Sequence, residues 1–337
     1  MTTATDVSPP TVTGIRPGAI FLLVLAVVAA AAAGYGWFGE SRDYANYVGV
    51  YDALTRHDTF SSFRFERGYL YLSWFCKFYI GMDFAQYYTF LAGISLLLKF
   101  RLLWKRTSAP VIAAVVYLMI LFPLHEYTQL RAAVALAFAY TAMDVYLDGK
   151  RFMAFLLLVV GVLFHATAMV LAAAALLVIF VAKRSPVLAA AFFSAMAIVG
   201  YLLISKFMSV LEGANPLVAK YVDQAFLNEP PNVFSGENIL LFALMVSSAI
   251  FLRPWQRRKD GFFYYLSFWT LITYVALLKI PVFAHRISEA LIFSCLLFAF
   301  RFDDSHQSRI PSVILVLTGG WAVYEATIQG VLFVAIR

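Results

Sequence analysis

An arginine and a histidine interrupt two of the most apolar stretches of this chain. Arg131 stands in Leu124-His125-Glu126-Tyr127-Thr128-Gln129-Leu130-Arg131-Ala132-Ala133-Val134-Ala135-Leu136, at the mouth of a long apolar run. His165 breaks a second run at Phe164-His165-Ala166-Thr167-Ala168. A central arginine costs roughly 2.5 kcal/mol or more at membrane depth, so such groups usually face a cavity and mark a site. A guanidinium can fork onto phosphate or carboxylate; the alternative for Arg131 is snorkelling to the interface. An imidazole changes charge near neutral pH and can serve as general base or phosphate partner. His125 and Glu126, beside Arg131, are further candidates for proton transfer. A second pair, His285-Arg286, follows Lys279-Ile280-Pro281-Val282-Phe283, where the proline starts a new helix. Two guanidinium groups can share a pyrophosphate; alternatively Glu289, three residues on, holds Arg286 on the same helical face.

Two aromatic segments add to this set. In Asp43-Tyr44-Ala45-Asn46-Tyr47-Val48-Gly49-Val50-Tyr51, three tyrosines recur at helical spacing. They form either an interfacial aromatic belt or a platform for a sugar or lipid headgroup, with Asp43 as polar contact. Glu66-Arg67-Gly68-Tyr69 sets opposite charges beside a glycine, either as a structural ion pair or as part of a site. No P-loop, dinucleotide fingerprint, zinc pattern or acidic metal motif is present. This argues against nucleotide hydrolysis and a metal-bound nucleotide donor; no metal and no cofactor is expected.

The elements that must hold these groups are helices in a membrane. Apolar residues make up 62% of the 337 and charged residues 13%, about half the charged share of a soluble domain. Backbone facing lipid must satisfy its own hydrogen bonds, which selects a helix bundle here. The net charge of +7 comes with Lys and Arg in short loops, as the positive-inside rule predicts, and not with a nucleic-acid patch. Cys76 and Cys295 read as core thiols.

Five basic clusters set the orientation: Lys99 to Arg106, Lys150/Arg151, Lys183/Arg184, Arg253 to Lys259, and Arg301/Arg309. Placed in the cytoplasm with a tail over 1–18, they thread one transmembrane domain over 19–337. Spans are expected at 19–37, 84–104, 111–124, 130–147, 187–206, 239–252, 262–280, 287–300 and 311–336. The stretch 152–182 is too long for one ordinary span and reads as a hairpin with His165 near its apex. The aromatic stretch 64–81 reads as a helix in the outer interface. The result is an all-α polytopic membrane protein of about eleven spans, with outer loops at 39–65 and 207–236. Asp43, Glu66, Arg67, His125, Glu126, Arg131, His165, His285 and Arg286 played no part in setting the orientation, yet all fall on the outer side.

In this order, the segments resemble the EpsG-like branch of the Wzy polysaccharide polymerases. Its outer D-Y-x-x-Y segment corresponds to Asp43-Tyr44 with Tyr47, and its E-x-G-[YF] motif to Glu66-Arg67-Gly68-Tyr69. Leu130-Arg131 matches the Arg-Gln stretch opening a helix, although the usual glutamine is Ala132 here and Gln129 precedes. Lys150-Arg151 matches a basic turn, Phe164 to Ala168 an F-H-x-[ST]-A motif, and Arg286 a late outer arginine. The resemblance implies a multi-pass enzyme of the bacterial inner membrane with GT-C-like architecture. It would join undecaprenyl-pyrophosphate-linked oligosaccharide repeats, of O-antigen or exopolysaccharide, on the periplasmic face. Its partners would be that lipid-linked substrate, membrane lipid, a chain-length regulator and a flippase, and no nucleic acid. The roles implied are proton transfer by His165, Glu126 or His125; pyrophosphate contacts from Arg131, Arg286, Arg67 and His285; and sugar or lipid contacts from Asp43, Tyr44, Tyr47, Glu66 and Tyr69. A lipid-linked oligosaccharide ligase shares the same donor. A flippase or transporter would instead distribute polar groups through the membrane depth.

Overall fold

Long apolar runs punctuated by Pro, Gly and short basic loops produce helices and little else. The computed structural model describes residues 17–39, 41, 43–57, 60–61, 63–181, 186–214, 234–278, 280–301 and 306–328. Among them are thirteen α-helices and no strand. They are α1 (Pro17–Gly34), α2 (Tyr44–Ala53), α3 (Arg67–Phe75), α4 (Phe84–Arg106), α5 (Pro110–Ile120), α6 (Leu130–Leu147) and α7 (Arg151–Phe164). After these come α8 (Thr167–Val181), α9 (Pro186–Ala214), α10 (Gly236–Phe251), α11 (Arg258–Ala276), α12 (Pro281–Ala299) and α13 (Ile310–Ile328). All except α2 and α3 fall on the runs expected to span. α1 and α6 are long and apolar enough to cross a membrane by themselves. Large apolar side chains stand exposed along α1, α7 and α9, among them Val27, Phe155 and Leu202, as lipid-facing helices require.

The alanine-rich α6 lies at the centre: fourteen of its eighteen residues are buried. Small side chains let α4, α7 and α8 approach it closely. The 152–182 stretch is indeed two helices, α7 and α8, broken at His165 and Ala166. At fourteen and fifteen residues, each is only roughly 21 Å long. The aromatic stretch holds α3, prolonged by one π-helical turn over Cys76–Ile80. The charged Lys77 in this turn caps α2: its ammonium donates to the carbonyls of Tyr51, Asp52 and Leu54 at 2.8, 2.9 and 3.1 Å. It thereby satisfies acceptors that a helix C-terminus leaves open. Cys76 and Cys295 are free and buried.

Most of the basic clusters do gather at one end of the bundle, where they meet acids. Asp144 takes Lys105 at 2.6 Å and Arg106. Asp148 bridges Lys105 at 2.5 Å to Lys259, and Asp260 accepts from Arg301 at 3.3 Å. Lys105 and then Lys259 hold the Asp148 carboxyl well below the usual carboxylate range. Lys183/Arg184, the tail 1–16 and most of the expected outer loop 207–236 lie outside the described residues. α9 runs eight residues into that loop, to Ala214.

Lys99 departs from its expected place. It is not a loop cation but a fully buried residue of α4, seven residues before Arg106 and so roughly 10 Å into the bundle. Its ammonium meets Glu126 at 2.8 Å and the Tyr117 hydroxyl at 2.8 Å. Tyr117 and Ser95 also donate to Glu126. α5 stops at Ile120, short of the expected Leu124, and the turns of 121–129 carry Glu126 inward to this cation. Lys99→Met should leave that carboxylate buried without its cation, a loss of about 3–5 kcal/mol. The double variant Lys99→Met/Glu126→Gln should recover much of it. Thermal unfolding of the purified protein checks this; equal losses in single and double variants would discard the pair as the cause.

Candidate active site

The opposite end of the bundle brings together residues far apart in sequence. Glu66 is the N-cap residue of α3 and Arg131 the second residue of α6. Their side chains form an ion pair, and His165 Nε2 lies 3.8 Å from the other Glu66 oxygen. The sequence leaves two readings of Glu66-Arg67, a pair between neighbours or part of a site; in the structure Glu66 pairs over a long range with Arg131. Extended backbone at Glu66, with φ −65° and ψ 146°, lets its side chain turn back over α6. The Arg131 guanidinium stacks 3.8 Å above the Phe65 ring and 5.8 Å from that of Tyr47, which fixes its plane. Its Nε has no hydrogen-bond partner among the described residues.

The motif residues around this pair have distinct physical jobs. A Cβ on Gly68 would meet the Leu163 carbonyl oxygen at 2.6 Å. That glycine lets α3 touch the end of α7, which brings Glu66 to His165. Phe164 stacks on Phe138 at 6.3 Å, and Ala168 is fully buried against Gly161. His165 itself lies in the α7–α8 connection. Its Nδ1 accepts from the Thr167 main-chain N–H at 3.2 Å and sits 3.1 Å from the Thr167 hydroxyl. Burial lowers its pKa first of all; Glu66 opposes the shift, while Arg131 and Arg286 add to it.

A cavity of about 470 Å³ opens on this cluster, lined by Asp43, Asn46, Tyr47, Val50, Phe63, Arg64, Phe65, Arg131 and Arg286. This is an ordinary size for a ligand site. Asp43, Asn46, Tyr47 and Val50 form one face of the α2 region. Arg64, Phe65 and Asn46 were not singled out from sequence; the alternation Arg64-Phe65-Glu66 in an outer loop was the available signal.

Other candidates are elsewhere. Tyr44 packs against Phe84 and Tyr88, and Tyr69 is wholly buried beneath Tyr47. Tyr51 is also buried, its hydroxyl on the Met82 carbonyl at 2.7 Å. The tyrosine repeat therefore packs inward, and only Tyr47 reaches the cavity. His125 and Glu126 are buried, and Glu126 is committed to Lys99. His285 stands edge-on to Tyr274 at 5.2 Å, and Arg67 is exposed at the start of α3; neither lines the cavity. Among the described residues no His, Cys, Asp or Glu group is arranged to hold a metal.

Gly68→Ala should force α3 off α7 and lower the melting temperature of the purified protein. Gly49→Ala, where a Cβ meets nothing within 4 Å, should be silent. Thermal unfolding of the purified variants decides the matter; a wild-type melting temperature for Gly68→Ala would remove the packing argument.

Nothing among curated proteins or solved structures matches the chain. Its residues 19–322 match the EpsG family. The chain belongs to that family of Wzy-like polysaccharide polymerases and exopolysaccharide biosynthesis proteins, and is a helical membrane protein of polysaccharide biosynthesis.

Proposed function

We propose that the chain is a polymerase joining polyprenyl-pyrophosphate-linked oligosaccharide repeats at the end of the bundle that holds Glu66, Arg131 and His165. Undecaprenyl pyrophosphate is the carrier in this reading, the fold is multi-pass and GT-C-like, and the site opens on the outer face of the bacterial inner membrane. One observation carries it. Glu66, Arg131, His165 and Arg286, from four separate elements, converge beside an open, partly aromatic cavity. The basic loops collect at the other end, which by the positive-inside rule is cytoplasmic.

The chemistry assigns each group a task. An acceptor hydroxyl attacks the anomeric carbon as the pyrophosphate leaves. Negative charge grows on the leaving group, and preorganised cations act where charge develops. Arg131 and Arg286 take this part, and Arg64 joins them from the same cavity. Tyr47, with Asp43 and Asn46 beside it, offers a sugar an aromatic face and polar partners. Proton transfer falls to Glu66 and His165; His125 and Glu126, the other candidates, are enclosed in the α4–α6 interior. A flippase needs polar groups along a path through the membrane. Here the buried polar network below the site, Lys99 with Glu126, is internally satisfied. A chain-length regulator and a flippase are partners in the same reading.

Arg286→Ala should slow polymerisation about 10²–10³-fold, the cost of removing one such donor. Arg131→Lys should also be harmful, because a point charge replaces a fork. The measurement is ladder formation on purified lipid-linked repeat units with well-expressed variants. Deletion of the gene should leave single repeat units on the cell surface; an unchanged long polymer there would reject the polymerase reading.

A further inference from the structure

We infer that Thr167 is a positioning residue. It holds His165 as the neutral tautomer with the proton on Nε2, which leaves one oxygen of Glu66 free to act as the base. The inference rests on the glycosyl-transfer reading above and deepens it by separating the roles of the two proton-transfer candidates.

The geometry is one-directional. A main-chain N–H can only donate, so the 3.2 Å contact from the Thr167 nitrogen occupies the lone pair of His165 Nδ1. The Thr167 hydroxyl lies 3.1 Å from the same atom and, with Nδ1 an acceptor, shares that lone pair as a donor. A neutral imidazole with Nδ1 as acceptor carries its single proton on Nε2, the nitrogen that faces Glu66. The Thr167 amide belongs to the first turn of α8, one of the donors left without a partner inside a helix. The ring therefore also caps α8. Protonating it would turn Nδ1 into a donor and break the cap. The charged groups around the ring are Glu66 at the head of α3, Arg131 on α6 and Arg286 on α12. Two of the three are cations and oppose a further positive charge.

The tautomer matters because of what Glu66 must do. Arg131 already holds one carboxylate oxygen. An imidazolium would form a second ion pair on the other oxygen and occupy both. A neutral His165 instead sets its Nε2–H 3.8 Å from that oxygen, beyond hydrogen-bond reach, and leaves the oxygen able to accept a proton. In the step itself, the acceptor oxygen bonds to the anomeric carbon and its proton passes to Glu66. The bond from that carbon to the pyrophosphate oxygen breaks, and its electron pair leaves with the pyrophosphate. His165 keeps its proton on Nε2 throughout and accepts nothing there, so it is not the base. The two-residue offset from His165 to Thr167 is the reach of Nδ1 to the amide two positions on. This gives the hydroxyl residue of the F-H-x-[ST]-A motif a physical purpose.

The test uses the full chain in lipid nanodiscs with ¹⁵N-labelled histidine rings, the His165 signals being identified by their loss in His165→Gln. Wild type should show a neutral ring protonated on Nε2 at pH 7. Thr167→Val keeps the fold but loses one donor to Nδ1, so protonation becomes easier. Its ring midpoint should rise by about half to one pH unit, the scale of one neutral hydrogen bond, and Thr167→Ser should restore it. Polymer formation on lipid-linked repeats should lose its acidic limb at correspondingly higher pH in Thr167→Val. A wild-type proton on Nδ1, or a midpoint unmoved or lowered by Thr167→Val, overturns the inference without reference to activity. The expected ring behaviour combined with full polymerisation by Glu66→Gln would remove Glu66 as the base, and with it the purpose given to the neutral ring; no polymer from wild type on lipid-linked repeats would instead overturn the glycosyl-transfer reading.

Discussion

The ion pair between Glu66 and Arg131 is the constraint around which the outer end of the molecule is arranged. A carboxylate and a guanidinium in a partly apolar setting are costly apart and tolerable together. Their meeting joins the head of α3 to the head of α6. It requires α3 to touch α7, hence a glycine at position 68. It requires flat partners for the guanidinium, hence Phe65 and Tyr47. It leaves part of each ionic group unspent: one Glu66 oxygen toward His165, and the Arg131 Nε toward its surroundings. A pair that were fully satisfied would be structure alone. One with unused valence on both members keeps capacity for a ligand.

The bundle was legible in the sequence because lipid removes most alternatives. Apolar runs between basic turns became helices where expected, and the long 152–182 run divided at the histidine. The clustering of the candidate residues was legible in part. Arg131, His165, Glu66, Arg286, Asp43 and Tyr47 do converge. Tyr44 and Tyr69 do not, because helical periodicity shows that tyrosines share a face but not whether that face looks at solvent or at α4. Glu126 and His125 were misplaced for a related reason. Adjacency to Arg131 along the chain suggested adjacency in space, but the turns of 121–129 carry them inward. The partner that draws Glu126 there is Lys99, which reads as a loop cation in sequence but lies within α4.

The motif residues divide the work in a way that their spacing alone does not disclose. In Glu66-Arg67-Gly68-Tyr69 the acid carries the charge, the glycine sets a helix contact and the tyrosine fills the core beneath Tyr47. In Phe164 to Ala168 the phenylalanine and alanine seat the turn, while histidine and threonine act as a unit. Loss of activity on changing Gly68 or Ala168 would therefore report on geometry, not on chemistry.

The buried Lys99 also bears on how this protein enters the membrane. Twenty-seven residues of chain separate Lys99 from Glu126, so Lys99 emerges from the ribosome while its counter-charge is still inside. An ammonium at that depth disfavours lateral release of a helix into lipid. α4 is thus a poor solitary insertion unit, and becomes a good one only once α5 and the following turns have been made. Synthesis order then matters as much as hydrophobicity: α4, α5 and the head of α6 should enter the bilayer as one cooperative block, with the ion pair as its closing step.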